Sequence, residues 1–262
     1  MAFGQILRMK YYCLLPLFFL STFHLIAQSA NPPAEGFNAE ASDQKAIEIA
    51  DEVMEAMGGR EAYDNTRFVR WTFFGRRTLL WDKWTGRVRI DFKEDGQVML
   101  VNIHTNKGKI WKDGAYETNP DTTAQYLERA KGIWINDSYW LVMPYKLKDS
   151  GVTLKYLETE GAADSLEHKL QLTFEEVGNT PDNKYWVMVN DKSKLVTSWA
   201  FFTRFDDESA RFTTPWADYE QKGNILLSGN RGRGQLTDIG VFEAVPDEVF
   251  EEATPYDISA WK

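Results

Sequence analysis

The chain has 262 residues, a formal net charge of −9, ten tryptophans and a single cysteine. Its acidity excludes nucleic acid as a partner, because phosphate binding needs clustered Lys and Arg. One cysteine excludes an internal disulfide, so stability has to come from a hydrophobic core.

Residues 1–27 read as a secretory signal. Arg8 and Lys10 form a basic n-region, Tyr11 to Ile26 is almost wholly apolar, and Leu25-Ile26-Ala27 before Gln28 makes an acceptable cleavage site. Pro16, His24 and the shortness of the run argue against a membrane anchor. Cys13 lies inside the apolar run, without the small-residue context of a lipid-modified cysteine. The expectation is an exported, periplasmic monomer with no transmembrane span in its mature chain. Losing Arg8 and Lys10 leaves 28 basic against 39 acidic residues, a net charge of −11. About 235 residues remain, enough for one large β-rich domain.

Residues 28–40, with Pro32-Pro33 and Gly36, form a polar linker, and residues 41–262 are expected to make a single domain. Ile47, Ala50, Val53, Met54 and Met57 mark an amphipathic helix, with Ser42 as N-cap and Gly58-Gly59 closing it. Its other face carries Glu48, Asp51, Glu52 and Glu55, which anionic lipid would repel.

From Phe68 the pattern becomes strands and turns. Thr85-Gly86, Asp95-Gly96, Lys107-Gly108 and Asp113-Gly114 separate aromatic and β-branched runs, the pattern of an antiparallel meander. The meander breaks once, between Asn119 and Leu147. Ala124, Leu127, Ala130 and Trp134 fall on one helical face, Asn119 suits the N-cap and Pro120 the first helical position. A short apolar run, Ser138 to Met143, follows and stops at Pro144. The meander resumes at Thr153 and runs to Phe242, for about eleven strands in all.

Three of these strands break the alternation expected of a sheet with one wet face: Val98 to Val101, Trp186 to Val189 and Trp199 to Phe202 are apolar on both sides. Both faces must be covered over part of the sheet, as in a barrel-like sheet holding helices or in a sandwich.

The helix ending in Met57-Gly58-Gly59-Arg60, the Trp-rich first hairpin, the segment Trp134 to Leu147 and the final Val241-Phe242-Glu243 leading to Pro246–Phe250 together resemble a secreted bacterial family of unassigned function. That family is itself similar to the periplasmic lipoprotein carriers and outer-membrane lipoprotein-sorting proteins. The resemblance implies a mainly β fold: an open, strongly curved antiparallel β-barrel with helices on its concave face. Between them it implies a hydrophobic cavity, which in the carriers holds acyl chains. The carriers' arginine latch on the helical lid has no matched position in this sequence.

Little catalytic chemistry can be assembled. The mature chain keeps only His104 and His168, far apart and without metal-ligand spacing, and no Gly-x-Ser-x-Gly elbow occurs. Asp82 and Asp91 near the first hairpin suit a glycosidase-type carboxylate pair, although pairing with Arg87 or Arg89 is the default. Asp206-Asp207-Glu208 reads as a solvated turn rather than a calcium loop. The glycine-rich stretch 229–234, with Arg231 and Arg233, reads as a hairpin loop, since no helix follows to hold phosphate; the alternative is that its two arginines touch an acidic partner or a lipid headgroup. No catalytic residue, metal or cofactor is assigned.

The tryptophans are the remaining signal, because indole suits a core, a lipid cavity or a sugar platform. Trp71, Trp81, Trp134 and Trp140 are the expected cavity lining. The function expected is non-catalytic sheltering of a hydrophobic small molecule or lipoprotein acyl chain. The alternatives are a carbohydrate-binding or carbohydrate-active envelope protein, and a structural interaction module whose core is filled by its own side chains.

Overall fold

Where the chain leaves its first helix, two consecutive glycines take left-handed conformations, Gly58 at φ 112° and Gly59 at φ 87°. A Cβ on Gly58 would lie 2.3 Å from the Asn224 carbonyl oxygen, so the reversal brings helix and sheet backbone into direct contact. After a short second helix the chain is mostly sheet, interrupted by one long helical insert. The structure, a computed structural model, describes residues 1, 30–162, 165–175, 182–259 and 261. Apart from Met1, the expected leader lies outside the described residues.

Helix α1 (Gln44–Ala56) is followed by a short α2 (Gly59–Asn65). Strands β1 (Phe68–Phe73), β2 (Arg77–Asp82), β3 (Arg87–Phe92), β4 (Val98–Asn102), β5 (Lys107–Lys112) and β6 (Ala115–Tyr116) form the first meander. Helix α3 (Pro120–Val142) and a 3-10 turn (Met143–Lys146) precede β7 (Val152–Glu160), β8 (Glu167–Phe174), β9 (Lys184–Asn190), β10 (Val196–Phe202) and β11 (Phe212–Pro215). The chain ends with β12 (Ala217–Lys222), β13 (Ile225–Arg231), β14 (Gly234–Phe242) and a 3-10 turn at Asp247–Phe250.

The strands pair antiparallel in two sheets, β12-β13-β14-β1-β2-β3-β4-β5-β6 and β11-β10-β9-β8-β7. The described residues thus form two curved sheets and no closed barrel. The stretch around Trp216 is divided between the sheets: Pro215 ends β11 in the smaller sheet and Ala217 begins β12 in the larger one. Trp216, 1% exposed, is the residue at which the chain changes sheets.

One large apolar cluster occupies the inner side. It joins α1 and α3 to Trp71, Leu79, Ile90, Met99 and Ile110 of the larger sheet, and to Leu154, Leu170, Val187 and Trp199 of the smaller. A second cluster, Phe68, Leu80, Val245, Val249 and Phe250, lies on the outer face of the larger sheet beneath the C-terminal segment. Its hub is Arg89, which is buried, pairs with Asp91 at 2.9 Å and donates to the carbonyls of Val249, Glu252, Ala253 and Thr254. Leu100 pairs with Arg89 across the sheet and is buried, which accounts for an apolar β4. On the other sheet Trp186 packs edge-on against Phe202 at 4.6 Å, with Lys184 Nζ 4.4 Å over the Phe202 ring.

One local expectation is corrected. The N-cap of α1 is Asp43, without a side-chain capping bond. Ser42 Oγ instead donates to the Asn38 carbonyl and accepts from the Leu154 amide, because β7 offers it an amide at 2.9 Å. Before α1, the amides of Ala34 and Asn38 donate to the carbonyls of Lys148 and Val152, and that of Asp43 to Leu154.

Candidate functional site

Helix α3 starts as its sequence dictates. Asn119 Oδ1 accepts from the amides of Asp121 and Thr122, each at 3.0 Å, and Pro120 occupies the first turn. The short apolar run expected after it is the same helix, continuous to Val142. Leu127, Ala130, Asp137, Ser138, Leu141 and Val142 are its buried residues. An aspartate therefore sits in the middle of the inward stripe.

Asp137 is tied to Arg77 of β2. Arg77 Nε lies 2.6 Å from Asp137 Oδ2 and Nη2 lies 2.7 Å from Oδ1, a bidentate pair. Arg77 pairs in register with Phe73, so both belong to the inner face. Burial pushes the Asp137 carboxyl above its ordinary value, against the pull of Arg77 and the Asn136 amide.

The C-terminal half of α3 carries the aromatics. Trp134 meets Trp81 edge-on at 5.1 Å. Tyr139 lies 5.7 Å from Trp199 and 5.6 Å from Tyr185. Trp140 contacts Phe73, Phe74, Trp199 and Phe212, the last stacked at 5.9 Å. One helix thus touches the inner faces of both sheets. Of the four expected lining residues, Trp81 and Trp134 meet directly, Trp140 stands in the second aromatic group, and Trp71 is wholly buried in the larger sheet.

At its last turn α3 lacks a partner for one carbonyl. Pro144 stands four residues after Trp140 and has no N–H to give it. Arg231 Nη2 of β13 donates to the Trp140 oxygen at 2.8 Å instead. The Arg231 guanidinium lies 3.4 Å over the Trp216 ring and is 3% exposed. Burial lowers its pKa to about 9, still leaving it a cation at neutral pH. The turn after it is the hairpin loop expected at residues 229–234, but Arg231 points inward.

The interior holds donors in excess of acceptors. The indole N–H groups of Trp71, Trp81, Trp134, Trp199 and Trp216, the Tyr139 hydroxyl and Arg231 Nε are buried with no hydrogen-bond partner among the described residues. Burial pushes Tyr139 well above the usual phenol range. At the other end of α3 a groove of about 550 Å³ opens between its first turns and the β5–β6 edge, lined by Asn106, Tyr116, Glu117, Thr123, Ala124 and Leu127.

The acidic candidates lie elsewhere. Asp82 is held by Arg67 and Arg87 at 3.0 and 2.9 Å, and Asp91 by Arg89. Asp82 pairs in register with Phe68 and Asp91 stands beside Arg89, so both carboxylates belong to the outer face, engaged by arginines. His104 is exposed after β4, while His168 on β8 pairs with Asp191 at 2.9 Å. Arg204 binds Asp206 at 2.9 Å and its amide donates to Asp207, making an ion-paired turn.

Sequence reasoning missed Arg77, Asp137, Tyr139, Trp199, Trp216 and the inward direction of Arg231. The signal for Asp137 was present: it lies three residues after Trp134 and seven after Ala130, on the apolar stripe itself.

No family model matches the chain, and no curated protein matches it. Solved structures do. A DUF1329 family protein from Desulfovibrio piger shares 11% identity over 79% of this chain and 98% of its own, with a TM-score of 0.43. A LolA superfamily protein from Nitrosomonas europaea shares 12% identity over 79% and 97%, with a TM-score of 0.41. An outer membrane lipoprotein-sorting protein domain from Vibrio parahaemolyticus shares 10% identity over 79% and 96%, with a TM-score of 0.40. These neighbours are of the kind that the sequence resembles.

Proposed function

We propose that the protein is a non-catalytic binding protein of the bacterial envelope that shelters the apolar part of an amphiphile between α3 and the inner faces of its two sheets. One observation carries this reading. The inner wall is apolar across both sheets, yet the helix over it is fastened by polar contacts, Arg77 to Asp137 and Arg231 to the Trp140 carbonyl. Lifting this helix breaks two localised polar contacts and bares its own apolar residues together with the wall, and an acyl chain lying between them covers both. Trp81, Trp134, Trp140 and Trp199 line the surface such a chain would meet.

The energetics suffice. At about 0.8 kcal/mol per methylene removed from water, roughly ten buried methylenes supply the ~8 kcal/mol of micromolar affinity. The carbohydrate reading loses its carboxylates, since Asp82 and Asp91 are engaged by arginines on the outer face.

The test is native mass spectrometry with lipid extraction on protein purified from its own envelope, followed by titration of the delipidated protein with a fluorescent fatty acid. The expected result is saturable one-to-one binding with a change in tryptophan emission, because four indoles surround the site. Absence of both a co-purifying lipid and of fatty-acid binding overturns the proposal.

A further inference from the structure

Among the described residues Arg89 and Arg231 are buried and Arg77 is largely so, and they differ in one respect. Arg77 has Asp137 and Arg89 has Asp91, but no carboxylate among the described residues pairs with Arg231. Its two terminal nitrogens are used: Nη1 donates to Ser228 Oγ and the Asn230 carbonyl, Nη2 to the carbonyls of Trp140 and Ser228. Neutral acceptors satisfy those N–H groups and leave the charge uncancelled. The α3 C-terminus, whose carbonyl it caps, contributes only a partial negative charge. Removing a cation from water without a counter-ion is among the costliest acts in folding.

The surroundings repeat the imbalance. Arg231 Nε–H is buried and unpartnered, and so is the indole N–H of Trp216, on whose ring the guanidinium rests. Trp199 meets Trp216 edge-on at 5.4 Å, and its N–H is unpartnered too; Tyr139 beside it has a free hydroxyl. Edge-to-face contacts give an indole N–H a weak π acceptor at best. Four unpartnered donors thus lie along one run of ring contacts, from Tyr139 through Trp199 and Trp216 to Arg231, in a corner that holds an excess positive charge. Above this corner Phe212 is exposed and Trp140 and Phe74 are half-buried, so it sits just inside the seam where the chain crosses from β11 to β12.

From this we propose that the Arg231 corner receives the anionic head of the amphiphile, a carboxylate or a phosphate, while its chain lies along the apolar inner wall. The inference rests on the binding function proposed above and adds the class of head group. A carboxylate oxygen accepting from Arg231 Nε and a neighbouring indole supplies the missing counter-charge. The head then sits at the seam and the chain points under α3.

The test compares head groups on one chain. Delipidated protein is titrated with palmitate, palmitoyl lysophosphatidate, methyl palmitate and hexadecyltrimethylammonium. One or both anions are expected to bind about tenfold or more tightly than methyl palmitate, the scale of a charge-assisted hydrogen bond in a dry site, with the cation weakest. Palmitate ahead of lysophosphatidate identifies a free fatty acid, and the reverse order identifies a phosphate head. Arg231→Gln should bring the anion-to-ester ratio close to one, and Arg231→Lys should retain most of it. The ratio is insensitive to a general loosening of α3. Should R231Q not fold, the wild-type Arg231 Nε–H resonance is the readout, moving downfield with the preferred anion and staying still with the ester. Equal binding of anion and ester, or an unmoved resonance, overturns this inference alone. Failure of all four to bind overturns the proposed function with it.

Discussion

Asp82 ends β2 with its carboxylate wholly buried, and six donors surround it: Arg67 twice, Arg87, the Thr85 hydroxyl and the amides of Trp84 and Thr85. Burial alone would raise its pKa, but the bonds from Arg67, Thr85 and Arg87 outweigh that and hold it at about 2. A carboxyl depressed in the folded state contributes stability above its unfolded value, near 4, and loses it as pH falls through about 2. The contribution at neutral pH is on the order of 2–3 kcal/mol. We expect Asp82→Asn to lower the urea midpoint at pH 7 and to flatten the acid limb of the stability curve between about pH 4 and 2. Parallel acid limbs for wild type and variant would refute the assignment. The same residue shows why the glycosidase reading was open from sequence: Asp82 and Asp91 both flank the Trp-rich hairpin, and only the pleat puts them on the face away from the inner tryptophans.

Helix α3 was legible in its start and its stripe and illegible in its fastening. Asn119-Pro120 and the spacing of Leu127, Ala130 and Trp134 are local signals, read from a few neighbouring residues. The partner of Asp137 lies sixty positions away on β2, and the partner of the Trp140 carbonyl ninety-one positions away on β13. No periodicity reports pairs at such separation. Arg77→Ala leaves a buried carboxylate without its cation, which costs about 3–5 kcal/mol. Asp137→Asn in the same background should restore part of that loss, since no charge is then stranded. Urea unfolding of the two single variants and the double variant measures the coupling, and a coupling energy near zero would mean that the pair does not hold the helix. Hydrogen exchange adds a local readout: amides of α3 should lose protection in R77A before those of β8 and β9 do.

The described residues hold two apolar interiors, one on each side of the larger sheet, and β4, apolar on both faces, announced that fact without saying what covers it. Alternation is a property of single strands; the cover comes from chain that arrives last. Residues 245–256 lie over Phe68 and Leu80, with Arg89 binding four carbonyls of that segment and Tyr256 stacking on Trp261 at 13°. Strand order was hidden for a related reason, since β14 returns to pair with β1, placing Phe242 opposite Phe68. The outer interior therefore depends on the C-terminus in a way that the inner one does not. Removing residues 244–262 would uncover Phe68 and Leu80 and strand the Arg89–Asp91 pair in the middle of the sheet, without the carbonyls that surround it. Each large apolar side chain exposed forfeits about 1.5–3 kcal/mol, and the bared face is a surface for self-association. The truncated protein is expected to bind a hydrophobic dye and to elute as oligomers, while Phe250→Ala alone lowers stability by about 3–5 kcal/mol and leaves a monomer. A truncated chain that stays monomeric and melts with the full-length protein would show that the inner core carries the fold unaided. If the truncation weakens the fold and leaves fatty-acid binding at matched folded fraction intact, the two faces of the sheet divide the work: the outer one holds the fold together and the inner one binds.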